Sequence, residues 1–186
     1  FKLNIITLMI QLRCTTKVQK QLRLKPKDLS EISQPQTTLG NWYVNVTTID
    51  RRKFFVFMNE KTLLSFIIFG ITKANAKKIH SVFVNGLAHY LQIEGFDDQT
   101  IGRIINEYQQ MEYTKTHSKQ LLGNMNNLIQ TYAHYIYYDG GLEYCDLTDI
   151  IQRINHMPQR NINWKYSIDL TKELLKHRQN FVPKFA

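Results

Sequence analysis

Two stretches of this 186-residue chain carry side chains that could do chemistry. The first is Asn59-Glu60-Lys61-Thr62, a carboxylate beside an ammonium between two apolar runs. Read as chemistry, it is a charged pair at the end of a sheet. Read as structure, it is a good turn, because Asn bonds its own backbone and a Thr hydroxyl satisfies exposed amides. The turn is the reading adopted. The second stretch is Lys115-Thr116-His117-Ser118, which leads into Lys119, Gly123, Asn124, Asn126 and Asn127. Glu60, Lys115, His117 and Lys119 are an acid–base set that an enzyme could use if a pocket gathered them. A helix starting at Ser118 would also offer its N-terminal amides to an anion. Gly and Asn each lower helix propensity, by about 0.5–1 kcal/mol relative to Ala. Their density here points to a close backbone approach at Gly123 and to amides bonded in a polar network that locks helix to sheet.

Other catalytic patterns are missing: there is no phosphate-cradling Gly-rich loop, no HExxH, no GxSxG and no EF-hand loop. The six histidines are scattered and form no i,i+4 pair, and the two cysteines, Cys14 and Cys145, have no CxxC spacing. No metal and no cofactor is expected. The formal charge of +9, from 24 Lys and Arg against 15 Asp and Glu, favours polyanionic or acidic partners. Between Arg13 and Lys27 six cations occur without an acid, and Lys17, Lys20 and Arg23 are spaced for one helix face. With Arg51, Arg52 and Lys53, and a basic last helix holding Lys172, Lys176 and Arg178, they are candidate phosphate contacts.

The elements that would position these residues follow from periodicity. Residues 38–70 hold the densest aromatic and β-branched run, and Trp42, Val44 and Val46 alternate with Tyr43, Asn45 and Thr47. With a turn at residues 50–53 and another at 59–62, the run predicts a three-stranded antiparallel meander, its last strand buried on both faces. Helices are expected on one face. Residues 9–15 alternate as a first strand, and Thr16 is expected to cap a short helix that Pro26 stops. Period 3.6 then predicts helices over 73–92, capped by Asn75; 97–108, capped by Asp97; 119–138, capped by Ser118; from Asp146 to Pro158; and from Ser167 to about Gln179. Residues 113–116 read as extended. Strands first and helices after imply an α+β fold, with a small antiparallel sheet (an N-terminal strand plus the meander) packed against four to five C-terminal helices. One domain is expected over 9–180, with 1–8 an extension and 181–186 a tail. No run approaches the roughly 18 apolar residues of a membrane span, and two unpaired cysteines suit a reducing compartment, so a cytoplasmic protein is expected.

The ordered phrases MIQLRCT from Met9, TLGNWYVN from Thr38, NEKTLL from Asn59, Lys115-Thr116 and LGNMN from Leu122 resemble the domain-of-unknown-function family 6933 over about residues 9–166. That resemblance implies an intracellular bacterial protein. It brings no activity and no assigned catalytic residue. It also implies a shared polar cluster of Arg13, Trp42, Asn45, Asn59, Glu60, Thr116, Gly123 and Asn126, joined by Lys119. At Ser118-Lys119-Gln120 the family tends to have Asn-Arg-Ser; Lys119 keeps the charge but loses the bidentate geometry of Arg.

Three functions are weighed. A non-enzymatic module that binds another protein leads, carried by aromatics off the helix stripe such as Tyr135 and Tyr138. A nucleic-acid binder needs its basic segments on one face. An enzyme needs Glu60, Lys115, His117 and Lys119 to converge.

Overall fold

In a computed structural model, residues 8–71 and 78–177 are described. The chain forms β1 (Met9–Cys14), α1 (Thr16–Leu22), β2 (Trp42–Ile49), β3 (Arg52–Asn59), β4 (Ser65–Phe69), α2 (Ile79–Ile93), α3 (Asp98–Glu107), β5 (Gln110–Lys115), α4 (Lys119–Tyr138), α5 (Leu147–Asn155), β6 (Pro158–Gln159), β7 (Lys165–Tyr166) and α6 (Ser167–His177). The fold is α+β. The expected Asn75 cap, residues 1–7 of the extension and the tail lie outside the described residues.

The main sheet runs β4-β3-β2-β1-β5. The meander pairs antiparallel, Val44 opposite Phe57 and Val56 opposite Ile67. The sheet as a whole is mixed, because β1 lies parallel to both β2 and β5. A parallel neighbour needs a crossover, and α1 with the long loop after it supplies one between β1 and β2. The extended stretch expected at 113–116 is the end of β5, an edge strand.

Alternation sorts the side chains onto two faces, and helices cover both. On the first face Ile10, Leu12, Trp42, Val44, Phe55, Phe57 and Phe66 meet α1, α2, α3 and α6, with Phe83 of α2 ringed by Trp42, Phe57, Phe66 and Tyr108. On the second face Tyr43, Phe54, Val56, Met58 and Ile67 meet Met125, Leu128, Tyr132 and Ile136 of α4 and Ile150 and Ile154 of α5. The expectation of one helical face falls short because α4 and α5 come late in the chain and fold back under the meander. Each fully buried Leu, Ile or Phe contributes about 1.5–3 kcal/mol, so two such cores set the positions of everything else.

Caps follow the sequence with one shift. Asp97 accepts from Thr100 N, Ser118 from Leu121 N and Asp146 from Thr148 N. Thr15, rather than Thr16, caps α1. Hydrogen bonds from the Thr100 backbone and hydroxyl hold the Asp97 carboxyl below its ordinary range. The β2–β3 turn is two residues, Asp50 and Arg51, both at positive φ (46° and 62°), as a type I′ hairpin demands.

Candidate functional site

Arg13 is 2 % exposed on the second face of β1, where Ile10 and Leu12 point to the other core. A guanidinium buried this far requires acceptors for its donors. Its Nε donates to Glu60 Oε1 at 2.6 Å and its Nη2 to the Ser33 carbonyl at 3.1 Å. Its Nη1 donates to Thr114 Oγ1 at 3.2 Å and to Gln11 Oε1. Gln11 Oε1 also accepts from Ser33 N (3.0 Å), and Gln11 Nε2 donates to Glu112 Oε1 (2.6 Å) and the Glu31 carbonyl (2.8 Å). The network ties β1, β5, the 31–33 loop and the β3–β4 turn together. Four hydrogen bonds to protein acceptors engage all three guanidinium nitrogens of Arg13.

The turn itself is built as the sequence reads. Asn59 Oδ1 accepts from the backbone N–H of Lys61 and Thr62, both at 3.0 Å, and Asn59 Nδ2 donates to the Leu39 carbonyl. Arg13, Asn59 and Glu60 therefore meet at one end of the sheet. The remaining residues of the proposed cluster lie elsewhere. Trp42 faces the other core and donates from Nε1 to Tyr108 Oη at 2.9 Å. Asn45 Oδ1 accepts from Thr15 Oγ1 and from Val46 N. Thr116 is half-buried, and Lys119, Gly123 and Asn126 are exposed along α4.

Gly123 makes no close approach: a Cβ there would meet nothing within 4 Å. The close approach is at Gly86 of α2, where a Cβ would stand 2.8 Å from Ile68 Cδ1. The approach to α4 is locked to the sheet by a tyrosine, in line with the polar network rather than the alternative anion site. Tyr43 Oη accepts from His117 N (3.3 Å) and Ser118 N (3.0 Å) and lies 3.3 Å from His117 Nδ1. A fixed phenol oxygen thus satisfies the two backbone donors just before the helix, and Ser118 Oγ caps Leu121 N. Among the described residues, Glu60, Lys115, His117 and Lys119 make no bond with one another; Lys115 lines a cleft with Pro26, Leu29 and Ile32 at the β5 edge.

The cations divide. Lys53 Nζ donates to Gln21 Oε1 of α1 at 2.9 Å, which sets the β2–β3 hairpin beside exposed Lys17, Lys20 and Arg23. Arg52 turns to the second face and lies 6.0 Å over the Phe69 ring. Lys172 and Lys176 line a cleft with Glu94 and Asp97, and Arg178 lies outside the described residues.

The other side of the hairpin tip is aromatic and acidic. Asp50 N donates to Tyr137 Oη at 3.2 Å, and Asp50 Oδ2 accepts from Leu142 N at 3.0 Å. Tyr137, Tyr138 and Tyr144 are 60 %, 77 % and 80 % exposed, and Tyr144 packs on Gly140. His134 stacks on Tyr138, while Tyr135 is held by Arg153 over its ring at 4.9 Å. The Cys145 thiol is pushed above its ordinary value by burial and then by the nearby carboxylates of Asp139, Asp146 and Asp50. Tyr144 escaped the sequence reading because it lies in a loop, where no stripe marks it as off-pattern.

Among the described residues no group of three or more His, Cys, Asp or Glu side chains could hold a metal, and no helix is long and apolar enough to cross a membrane. The family described as Domain of unknown function (DUF6933) matches residues 11–170. No curated protein matches the chain.

Proposed function

We propose that this chain, which belongs to the domain-of-unknown-function family 6933, is a non-enzymatic module that binds another protein through the end of α4. One observation carries the reading: Tyr137, Tyr138 and Tyr144 stand 60 %, 77 % and 80 % exposed around one helix end. Tyrosines offer large contact area with a polar tip and are enriched among the residues that dominate binding energy. Asp50, bonded through its N–H to Tyr137, and exposed Asp146 carry carboxylates with no salt bridge among the described residues, which favours a partner with basic side chains, while Asp139 is paired with Arg153. The filled Arg13 network supports a structural role for the polar cluster rather than catalysis. The test is capture by the full chain of a partner in stoichiometric amount, repeated with Y138A/Y144A. Loss of the partner with an unchanged thermal midpoint supports the reading; equal capture by the variant removes it.

A second reading has its own observation. The Lys53–Gln21 bond joins the hairpin to α1, so Lys17, Lys20 and Lys53 share one region, and among the described residues none has a carboxylate within 4.0 Å. A nucleic-acid binder of this kind would lose affinity for labelled mixed-sequence DNA or RNA with a log–log salt slope of about −0.9 per phosphate on duplex. An absence of binding at low salt would dismiss it.

A further inference from the structure

We infer that the outer edge of β4 is a docking groove for an extended peptide, which would join the sheet as an added strand. The inference rests on the protein-binding reading and names a second contact and its chemistry. β4 is an end strand of the sheet. In its antiparallel ladder with β3, Asn59 N donates to the Leu64 carbonyl, so Leu64, Phe66 and Ile68 turn their backbone groups inward. Ser65, Ile67 and Phe69 turn theirs outward.

The first outward pair is taken by a side chain. Asn155, fully buried at the end of α5, accepts from Ser65 N at 2.8 Å and donates to the Ser65 carbonyl at 2.7 Å. One carboxamide thus makes both bonds that a neighbouring strand would make. The next pair, Ile67 N–H and C=O, has no protein partner among the described residues. It faces a cavity of about 200 Å³ between α2 and α5, lined by Gly86, His89 and Ile93 on one side and Leu147, Thr148 and Ile151 on the other. Unpaired ladder groups recurring every second residue are a template for strand addition, and a strand bounded by helices is a recurrent form of peptide groove.

The lining defines the occupant. Successive side chains of an added strand point to opposite faces, one toward Gly86 and the next toward Ile151, and both walls are mainly apolar. At the α5 end, the Asp146 carboxylate accepts from the backbone N–H of Thr148, a lining residue, and Asp146 is exposed with no salt bridge among the described residues. Arg52 is turned over Phe69 instead. The fitting ligand is an extended segment with two successive apolar residues, one for each wall, and a Lys or Arg facing Asp146. The groove reaches Leu147, which with Leu142 also flanks Phe69, so it opens toward the tyrosine-bearing end of α4.

The test pans a displayed random-peptide library on the full chain and measures the enriched peptides, made synthetically, by calorimetry. I67P removes the docking donor and no ladder bond, because the Ile67 N–H points away from β3; since it also takes a side chain out of the second core, it is read together with a second variant. Expected are peptides with two successive apolar residues and a basic residue, an affinity lower by about tenfold or more on I67P, and a few-fold loss on D146N, whose Asn still caps α5. T148W, which fills the groove from the α5 side and leaves the β4 residues unchanged, must also abolish binding and keeps the test decisive if I67P fails to fold. Failure to enrich any sequence, or unchanged affinity on I67P and T148W, overturns the inference. A homodimer that either variant dissolves assigns the edge to a second copy and overturns the peptide occupant. Tyrosine-dependent capture of a protein partner that survives I67P sinks the groove while leaving the protein-binding reading in place.

Discussion

Arg13 and Gln11 sit two residues apart on β1 and so share one face of a buried strand. That spacing is visible in the sequence, and it demands buried acceptors. Among the partners only Glu60 was brought to Arg13, through the cluster that the family resemblance implies, because Thr114, Glu112 and the Ser33 carbonyl come from an edge strand and a loop with no periodicity to announce them. Removing one partner of a buried, hydrogen-bonded charge costs about 3–5 kcal/mol. Arg13→Leu should therefore lower the urea unfolding free energy by about that much, and a loss under about 1 kcal/mol would show that the network is dispensable. Cys14 gives a pH prediction. Burial raises its thiol from the ordinary 9.0 to about 12. Above pH 9 the unfolded chain releases this proton while the folded chain keeps it, so stability falls as pH rises from 9 toward 12, by up to about 1.4 kcal/mol per unit for this group. Equilibrium denaturation at pH 8 and pH 10.5 should show the fall. A C14A variant should show a shallower one, and an identical slope in the variant would contradict the assignment.

At the scale of elements, the two glycines make opposite predictions. Gly86→Ala places a methyl 2.8 Å from Ile68 Cδ1 and 3.1 Å from Phe66 where α2 meets β4; overpacking of this kind costs about 1–3 kcal/mol, and helix propensity offsets about 1 kcal/mol of it, so the net loss is up to about 2 kcal/mol. Gly123→Ala on the exposed side of α4 meets nothing and should stabilise by about 1 kcal/mol. Thermal midpoints of the two variants should move in opposite directions; a drop for both would mean that Gly123 has a packing role. The sequence pointed to a close approach at Gly123 because it stands among Asn residues, whereas Gly86 lies on the apolar stripe of α2. A glycine on the stripe is the better sign of close approach, because that face packs against another element. Arg51 holds a left-handed position that Gly would fill without strain, so Arg51→Gly should raise stability by about 1–2 kcal/mol. An unchanged midpoint would mean that Arg51 makes contacts that offset its backbone cost.

For the whole molecule, the meander, most caps and the α+β class were readable because each rests on local periodicity or on one capping side chain. The parallel pairing of β1 with β2 and β5, and the placing of α4 and α5 on the second face, depend on long-range contacts that no local pattern encodes. The division of charge was equally hidden. The hairpin tip separates the α1 cations from the tyrosines and carboxylates at the end of α4, although Asp50 and Arg51 are adjacent in sequence. This division is what favours a protein partner over a nucleic acid. Hydrogen–deuterium exchange on the captured stoichiometric complex tests it most directly. The account predicts slowed exchange over residues 137–146 on binding. Protection confined to α1 and the start of β3, with residues 137–146 unchanged, would contradict it.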